Sequence, residues 1–278
     1  MKKILSIFIF IISILAFAAD DIKLSGDTLK QGGFFYIEYP ADKNYTVEFK
    51  QGPKNLEAFI YKNKKYVFVP VHYSNPVGTY TLKVLDNKKE IFSHLIKLTD
   101  GNFKKSYIKV TKKMSEKRSD TNLQAGADKI AEAKKNSEKN KLWKGKFINP
   151  TNVKENSNFG AMRFVNNKVV GYHSGIDFPV PIGTPLKAAN DGKVIFADHL
   201  VTTGNTLVID HGMGVFSSYS HMSEITVKVG QSVIKGDIVG KSGNTGFVTG
   251  PHLHFSITMG RTAINPYLFM DYDILGDK

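Results

Sequence analysis

Five consecutive residues, Pro251-His252-Leu253-His254-Phe255, alternate imidazole and apolar side chains. A period of two predicts a β-strand whose histidines share one face, while Leu253 and Phe255 share the other. A proline is typical of the first residue of such a strand. Neutral imidazole is a good zinc ligand, and two histidines on one face suit a metal site built on a sheet. The segment therefore predicts a β domain that carries a metal site.

A second candidate cluster lies upstream, in His173-Ser174-Gly175-Ile176-Asp177. Its glycine and the prolines that follow argue against a helix and predict a loop that enters a strand. Positions four apart in an extended chain face the same side, so His173 and Asp177 can point into one site. With one histidine of the 252/254 pair they make three ligands, which leaves a fourth position for water, as in catalytic zinc sites. The remaining histidine becomes a candidate for proton transfer, and strand geometry does not decide which one remains.

The chain around these clusters is rich in short β segments separated by glycine-containing turns. Strands are predicted at residues 184–189, 192–197, 206–209, 215–219, 225–229, 238–239 and 253–258. No fixed repeat or α/β alternation is present, so a nucleotide-binding sheet is not supported. The pattern predicts an antiparallel β domain over residues 147–270.

The N-terminal half is also strand-like. Runs of β-branched and aromatic residues occur at 34–39, 45–49, 66–71, 79–84 and 91–98, with turn signals between them. This spacing predicts a small antiparallel sandwich of immunoglobulin-like type over residues 20–100. His72 and His94 are isolated here, so no catalytic cluster is expected in this domain.

Between the two β regions, residues 101–146 are rich in lysine, glutamate, alanine and asparagine. The composition predicts a polar helical connector, which ends where Trp143 and Phe147 restore large apolar groups. Much of the formal charge of +13 comes from its lysines. Such a surface would contact anionic envelope or wall polymers rather than nucleic acid. The alternative is a solvated helix without a partner, and the oligomeric state stays open.

The first residues have the basic start, short apolar run and small-residue exit of a secretory signal, which predicts a cleaved signal peptide over residues 1–18. The apolar run is shorter than the roughly 20 residues that span a bilayer, which argues against an uncleaved anchor. We expect export to the periplasm, with the extracellular space as the alternative. The chain contains no cysteine, which excludes disulfides and catalysis by a thiol.

Several motifs of the second domain together resemble one family. They are His173 to Asp177, Tyr219-Ser220-His221-Met222, Gly243-Asn244-Thr245-Gly246 and the run from Gly250 to Phe255. In residue type and spacing they resemble the lysostaphin-type (LytM-like) zinc metallopeptidases, over about residues 158–266. The N-terminal part resembles, more loosely, members that carry an immunoglobulin-like domain. The expected fold class is thus mostly β: an immunoglobulin-like β-sandwich, a polar helical connector and an antiparallel β metallopeptidase domain.

The resemblance implies that His173, Asp177 and His254 bind Zn²⁺, while His221 and His252 are unliganded catalytic histidines. It is the family pattern that selects His254 over His252 as the ligand. The implied function is a zinc-dependent endopeptidase that hydrolyses peptide crosslinks of bacterial peptidoglycan through a zinc-bound water. We assign His252 as general base and His221 as oxyanion stabiliser or proton donor, two roles that could be exchanged.

Two other hypotheses stay open. In one, the chain is a catalytically silent protein that binds peptidoglycan or regulates a partner; degenerate relatives lose ligands, whereas all five positions are filled here. In the other, the enzyme is latent because its N-terminal region or connector covers the groove. Arg163 sits where the family usually has an arginine, and we assign it no catalytic role.

Overall fold

The computed structural model describes residues 21–112, 116–156 and 159–276. The predicted signal peptide, residues 1–18, lies outside them. The chain is mostly β, as the sequence predicts, with two β units joined by a connecting segment. Within the described ranges, no helix has the length and apolar character needed to cross a membrane.

The N-terminal unit consists of two four-stranded sheets, ordered β1-β3-β6-β5 and β2-β8-β7-β4. The strands are β1 Lys23–Leu24, β2 Thr28–Lys30, β3 Phe34–Pro40, β4 Thr46–Phe49, β5 Ala58–Tyr61, β6 Lys64–Pro70, β7 Gly78–Asp86 and β8 Lys89–Thr99. Alternate residues of β3 are buried, and Ile37 packs with Val69, Leu82 and Ile96 in a core between the sheets. Two sheets around one core form a β-sandwich. Its pairing is antiparallel except between β2 and β8, which are parallel.

The connecting segment is not helical throughout. It contains β9 (Lys105–Ile108), helix α1 (Asp120–Ala133) and a 3₁₀ turn (Lys134–Asn136). β9 pairs in parallel with a strand of the C-terminal unit, a long-range partner that composition cannot reveal. Ser119 caps α1 by accepting a hydrogen bond from the amide of Asn122 at 3.3 Å. No residue of α1 is fully buried, so the helix lies on the surface of the fold.

The C-terminal unit is built on a seven-stranded sheet, ordered β12-β20-β16-β15-β14-β18, with β21 paired to β20. Two three-stranded sheets, β13-β19-β17 and β11-β10-β9, flank it. The elements are β10 Met162–Val165, β11 Lys168–Tyr172, β12 Ile176–Phe178, β13 Pro185–Lys187, β14 Gly192–Leu200, β15 Gly204–Asp210, β16 Val215–Met222, β17 Glu224–Ile225, β18 Ser232–Val233, β19 Ile238–Lys241, β20 Leu253–Met259, β21 Thr262–Ile264 and α2 Tyr267–Met270. The strand predicted at 225–229 is thus limited to two residues, and the turn after it leads to β18.

Strand β20 divides its side chains between two environments. Leu253, Phe255 and Ile257 enter the main hydrophobic core, and the residues between them, including His254 and Ser256, face the opposite side of the sheet. The imidazole of His254 is therefore held on a rigid central strand.

The two units share apolar packing rather than touching only through a linker. The ring of Phe269, in α2, stacks on Phe34 of the N-terminal unit at 5.7 Å between centroids. It also packs against Trp143 at 5.9 Å and Phe147 at 4.9 Å, at the end of the connecting segment. Phe68 of β6 lies 6.5 Å from Trp143 and belongs to the same buried cluster. The N-terminal unit consequently completes the core of the C-terminal unit.

Candidate metal centre

Two adjacent strands place Asp177 and His254 side by side. β12 pairs with β20 in a register that sets these residues directly opposite each other, where side chains on one face are in contact distance. His173 lies in the loop that leads into β12. Gly175 lies in that loop, where a side chain would overlap the carbonyl group of Phe255. The glycine therefore allows the loop to approach β20 closely enough to bring His173 to the pair.

The three predicted ligands form a compact triangle. His173 Nε2 lies 3.0 Å from Asp177 Oδ1 and 2.9 Å from His254 Nδ1, and His254 Nδ1 lies 2.8 Å from the same Asp177 oxygen. Among the described residues, this is the group of three that could hold a metal ion. Two imidazole nitrogens and one carboxylate oxygen are a donor set that suits zinc.

Hydrogen bonds alone cannot satisfy all three ligand atoms of this triangle at once. If both nitrogens carry protons directed at Asp177, the two donors face each other across 2.9 Å. If only one nitrogen is protonated, the lone pairs of the other nitrogen and of the carboxylate face each other across 2.8 Å or 3.0 Å instead. In either case one edge is repulsive. A cation that receives a lone pair from each atom removes the conflict, so the residues present fit a metal ion.

Burial and local charge favour the protonation states that a metal requires. Burial lowers the pKa of His173 to about 4, so its imidazole is neutral near pH 7. For Asp177, burial by itself would raise the pKa, but hydrogen bonds from His173 and His254 hold it well below its ordinary value. The site therefore presents neutral imidazole and ionised carboxylate, as ligands must be.

Arg163 orients the carboxylate of Asp177 through a hydrogen bond to its second oxygen. Its guanidinium, in β10, donates to Asp177 Oδ2 at 3.2 Å, on the oxygen that does not face the histidines. An outer partner of this kind fixes the orientation of a ligating carboxylate. The sequence analysis gave Arg163 no catalytic role and left a substrate-binding or structural role open; its contact with Asp177 is that of a structural, orienting group.

His252 approaches the triangle without joining it. Its Nδ1–H donates to the carbonyl oxygen of Gly250 at 2.9 Å, which fixes the tautomer and leaves the lone pair on Nε2. That Nε2 lies 3.8 Å from Asp177 Oδ1, on the side of the metal site. His252 is therefore positioned to accept a proton beside the metal.

His221 reaches the same place through an irregularity in β16. The pairing of β15 with β16 shifts register near this residue, and His221 has a left-handed backbone with φ of 64°. A bulge redirects a side chain at modest cost in backbone strain. The Nδ1–H of His221 donates to the carbonyl oxygen of Thr245 at 2.8 Å. Burial, followed by the nearby His254 and His252, lowers its pKa to about 3, so its Nε2 is an acceptor at neutral pH.

All five predicted site residues thus converge. The rings of His221 and His252 lie 4.8 Å apart, and those of His173 and His254 lie 4.9 Å apart. The sequence did not reveal the backbone carbonyls of Thr245 and Gly250 that set the two tautomers. The only signal for them was the crowding of glycines around both residues.

Residues 171–266 match the model of Peptidase family M23. The chain carries a peptidase family M23 domain. The matched segment contains all five site residues, His173, Asp177, His221, His252 and His254, and leaves Arg163 outside.

The curated relatives that match part of the chain include a named enzyme. The chain is 44% identical over 110 residues to "Peptidoglycan DD-endopeptidase ShyA" of Vibrio cholerae, covering 39% of this chain and 26% of that protein. It is 43% identical over 94 residues to an "Uncharacterized metalloprotease" of Buchnera aphidicola, covering 34% of this chain and 25% of that protein. The chain thus matches about a quarter of the length of these relatives.

One solved structure resembles the chain beyond the M23 domain. It is a putative peptidase M23 from Pseudomonas aeruginosa, which covers 88% of this chain and 95% of its own, with a TM-score of 0.60 and 23% identity. At that identity the likeness concerns the fold. The arrangement of both β units therefore has a counterpart in a solved protein.

Proposed function

We propose that this chain is a zinc-dependent endopeptidase that hydrolyses peptide crosslinks of bacterial peptidoglycan. The observation that carries the proposal is the triangle of His173, Asp177 and His254, with two tautomer-fixed histidines beside it. Three protein ligands leave a coordination position open, which distinguishes catalytic from structural zinc sites. When bound, zinc supplies Lewis acidity that makes water a nucleophile near neutral pH.

His252 fits the role of general base. Its Nδ1–H is committed to the carbonyl oxygen of Gly250, so the lone pair of the neutral ring lies on Nε2, 3.8 Å from Asp177 Oδ1. A lone pair at this position can take the proton of the attacking water. No new orientation of the ring is required.

His221 fits the role of a proton relay or oxyanion stabiliser. Its Nδ1–H is held by Thr245, so Nε2 can donate only after it has received a proton. The proton released by the attacking water must finally reach the leaving amine, and two adjacent imidazoles provide a path for it. The assignment of the two histidines could be exchanged without changing the proton balance.

The substrate assignment rests on the relatives and on the predicted export. ShyA, to which the chain is 44% identical over 110 residues, is named as a peptidoglycan DD-endopeptidase, and the five site residues lie in the segment that matches the M23 family model. Export to the periplasm, which the signal-like residues 1–18 suggest, would bring the enzyme to cell-wall peptide. The proposal therefore includes a crosslinking peptide as substrate.

A digestion assay tests this function. The protein without residues 1–18 is incubated with purified peptidoglycan and zinc, and the products are identified by mass. We expect peptide-cleaved fragments that disappear with a chelator and in His252→Ala. His199→Ala is the matched control, because His199 is exposed in β14 and its imidazole bonds to Asn205 on the adjacent strand, away from the five site residues. Zinc bound at unit stoichiometry without any cleavage would favour the binding or regulatory hypothesis.

A latent form of the enzyme is supported by one further observation. A cavity of about 350 Å³ begins at His254 and runs beneath α1, whose residues Ala127, Ile130 and Ala131 line it. Tyr73 of the N-terminal unit lines it as well. We infer that α1 narrows the cavity and slows the entry of bulky wall substrates, and that a looser contact of the middle of α1 with the sheet would speed it.

Loosening α1 by point substitution tests latency better than truncation. Removing the N-terminal unit would also remove Phe68, which helps to complete the shared core. Ile130 packs on the apolar cluster formed by Phe196, Leu200, Val208 and Phe216, and Ile130→Glu should weaken this contact. We expect faster wall digestion by Ile130→Glu and an unchanged rate for Ala125→Glu, which adds the same charge at an exposed position of the helix. Equal rates of wall digestion for both variants and the parent protein would contradict the hypothesis that α1 restricts access.

A further inference from the structure

The cavity beside the metal centre has a floor of hydroxyl groups. On β16 and β20, the residues that alternate with core side chains are Ser218, Ser220, Ser256 and Thr258, and all four line the cavity with His254. Ser218 pairs across the strands with Ser256, and Ser220 pairs with His254. These four residues, here called the hydroxyl strip, lead away from the metal centre along β20.

Three serines of the hydroxyl strip present their side chains to the cavity. Ser218, Ser220 and Ser256 are exposed by only 8%, 4% and 8%, and all three line it. Each hydroxyl group can donate one hydrogen bond and accept two. A row of hydroxyl groups along a cavity is suited to the polar backbone of a bound peptide.

Two cations stand at the far end of the strip. Lys134 donates to Thr258 Oγ1 at 2.7 Å, and its ammonium lies 5.0 Å over the ring of Phe216. Arg261, in the turn after β20, lines the same cavity. Both residues also line an adjoining cavity of about 370 Å³. Burial, followed by the charge of the nearby Arg261, lowers the pKa of Lys134 to about 7, while the charge of Asp210 acts in the opposite direction.

Among the described residues, no carboxylate forms an ion pair with Lys134 or Arg261, although the charge of Asp210 acts on Lys134 from a greater distance. Asp210, on the same face of the sheet, accepts hydrogen bonds from Ser137 Oγ at 2.8 Å and the amide of Glu138 at 2.7 Å. Glu57, which lines the adjoining cavity, is paired with Lys139. An anion near Arg261 and Lys134 would therefore gain charge-assisted hydrogen bonds and relieve their repulsion.

We propose that the hydroxyl strip binds an extended substrate peptide and that Arg261 and Lys134 bind a carboxylate of that peptide. This inference rests on the proposed endopeptidase function and specifies its substrate as an acidic peptide. Four residues of extended strand separate His254 from Thr258, a distance of about 13 Å. The carboxylate recognised by the two cations would therefore lie about four residues from the bond that is cut.

Kinetics with a matched pair of peptides test the proposal. The protein without residues 1–18 is given a crosslinked stem peptide with free carboxylates and the same peptide with those groups converted to amides. We expect KM to be at least about tenfold higher for the amide, with kcat nearly unchanged, because a charge-assisted contact made equally in ground and transition state is lost. Arg261→Gln and Lys134→Met should each reduce this preference, and Arg261→Lys should restore part of it. Lys228→Gln, at an exposed site elsewhere, controls for the general loss of charge.

A binding measurement separates this proposal from the catalytic one. Isothermal titration of the two peptides into zinc-loaded His252→Ala requires no turnover. Tighter binding of the acid, with the difference lost in His252→Ala combined with Arg261→Gln, would support the carboxylate site even if the parent protein hydrolysed nothing. The same affinity for acid and amide, or a preference that Arg261→Gln leaves intact, would overturn it even if hydrolysis were efficient.

Discussion

Removing His254 should abolish tight zinc binding, whereas removing His252 should leave it intact, although only one residue separates the two histidines in the sequence. His254 Nδ1 lies within 3.0 Å of the other two ligand atoms, whereas His252 Nε2 stays 3.8 Å from Asp177 Oδ1 and belongs to no such triangle. We therefore expect His252→Ala to bind one zinc ion and His254→Ala to lose tight binding. Wall digestion should be lost in both.

The size of the effect follows from linkage. A ligand at 100 times its Kd adds about 2.7 kcal/mol to the free energy of unfolding, which raises the melting temperature by about 5–10 °C in a protein of this size. Loss of an outer partner of a metal ligand already costs about 10–100-fold in affinity, so loss of His254 itself should raise Kd at least about 100-fold. At the same zinc concentration the gain then falls to about 0.4 kcal/mol or less.

Calorimetric melting with and without zinc measures both values, each variant being compared with its own metal-free form. His199→Ala should behave as the parent protein, because it lies outside the site. An undiminished zinc-dependent shift in His254→Ala would refute the assignment of ligands. So would loss of the shift in His252→Ala, because that residue would then bind the metal.

Three further outcomes are expected. Gly204→Ala should cost at least about 2 kcal/mol and reduce activity, because φ is +66° and the new methyl group would lie 2.6 Å from the carbonyl oxygen of Thr245, which orients His221. Gly183→Ala, with a positive φ of +87° but open space, should cost only about 1 kcal/mol and leave activity unchanged. Denaturant unfolding and digestion rates measure both effects. Burial lowers the pKa of His211 to about 4 from 6.5, so the unfolded chain binds more protons than the folded protein between these pH values. As the pH drops from 6.5 to 4, the free energy of unfolding should therefore fall by about 3 kcal/mol more in the parent protein than in His211→Gln. Parallel curves of stability against pH for the two proteins would contradict this. Phe269→Ala should cost about 3–5 kcal/mol and lower the melting of both β units in a single transition, whereas two separate transitions would show that the units are stable independently.

The sequence predicted the structure best where metal-ligating residue types recur with the two-residue period of a β-strand. Alternation in residues 251–255 predicted a strand with both histidines on one face. β20 begins at Leu253, so His254 lies in the strand, whereas His252 precedes it in an isolated bridge with Gly243. The order of residues in a strand fixes which side chains point together, so the convergence of His173, Asp177 and His254 followed once the strands were placed. The choice of His254 as ligand needed the family pattern, and the short distances in the triangle are consistent with it.

The remaining features depend on contacts between distant segments. The bulge that turns His221 towards the site depends on the register between β15 and β16, which no local pattern encodes. β9 was predicted as part of a helical connector because lysine-rich composition favours helix, but its parallel pairing with β10 overrides that propensity. The shared core was missed because Phe34 and Phe68 also suit a strand with one face open to solvent.

That shared core bears on how the chain acquires its structure. The indole N–H of Trp143 donates to the carbonyl oxygen of Ile274 at a separation of 131 positions, and Phe269 joins segments that lie still further apart. Such contacts close large loops and form slowly. Until they form, the strand face that carries Phe34 and Phe68 is an exposed apolar surface that favours aggregation of the newly synthesised chain. Folding of this protein should therefore be most prone to aggregation at one stage, after the N-terminal sandwich has formed and before α2 packs against it.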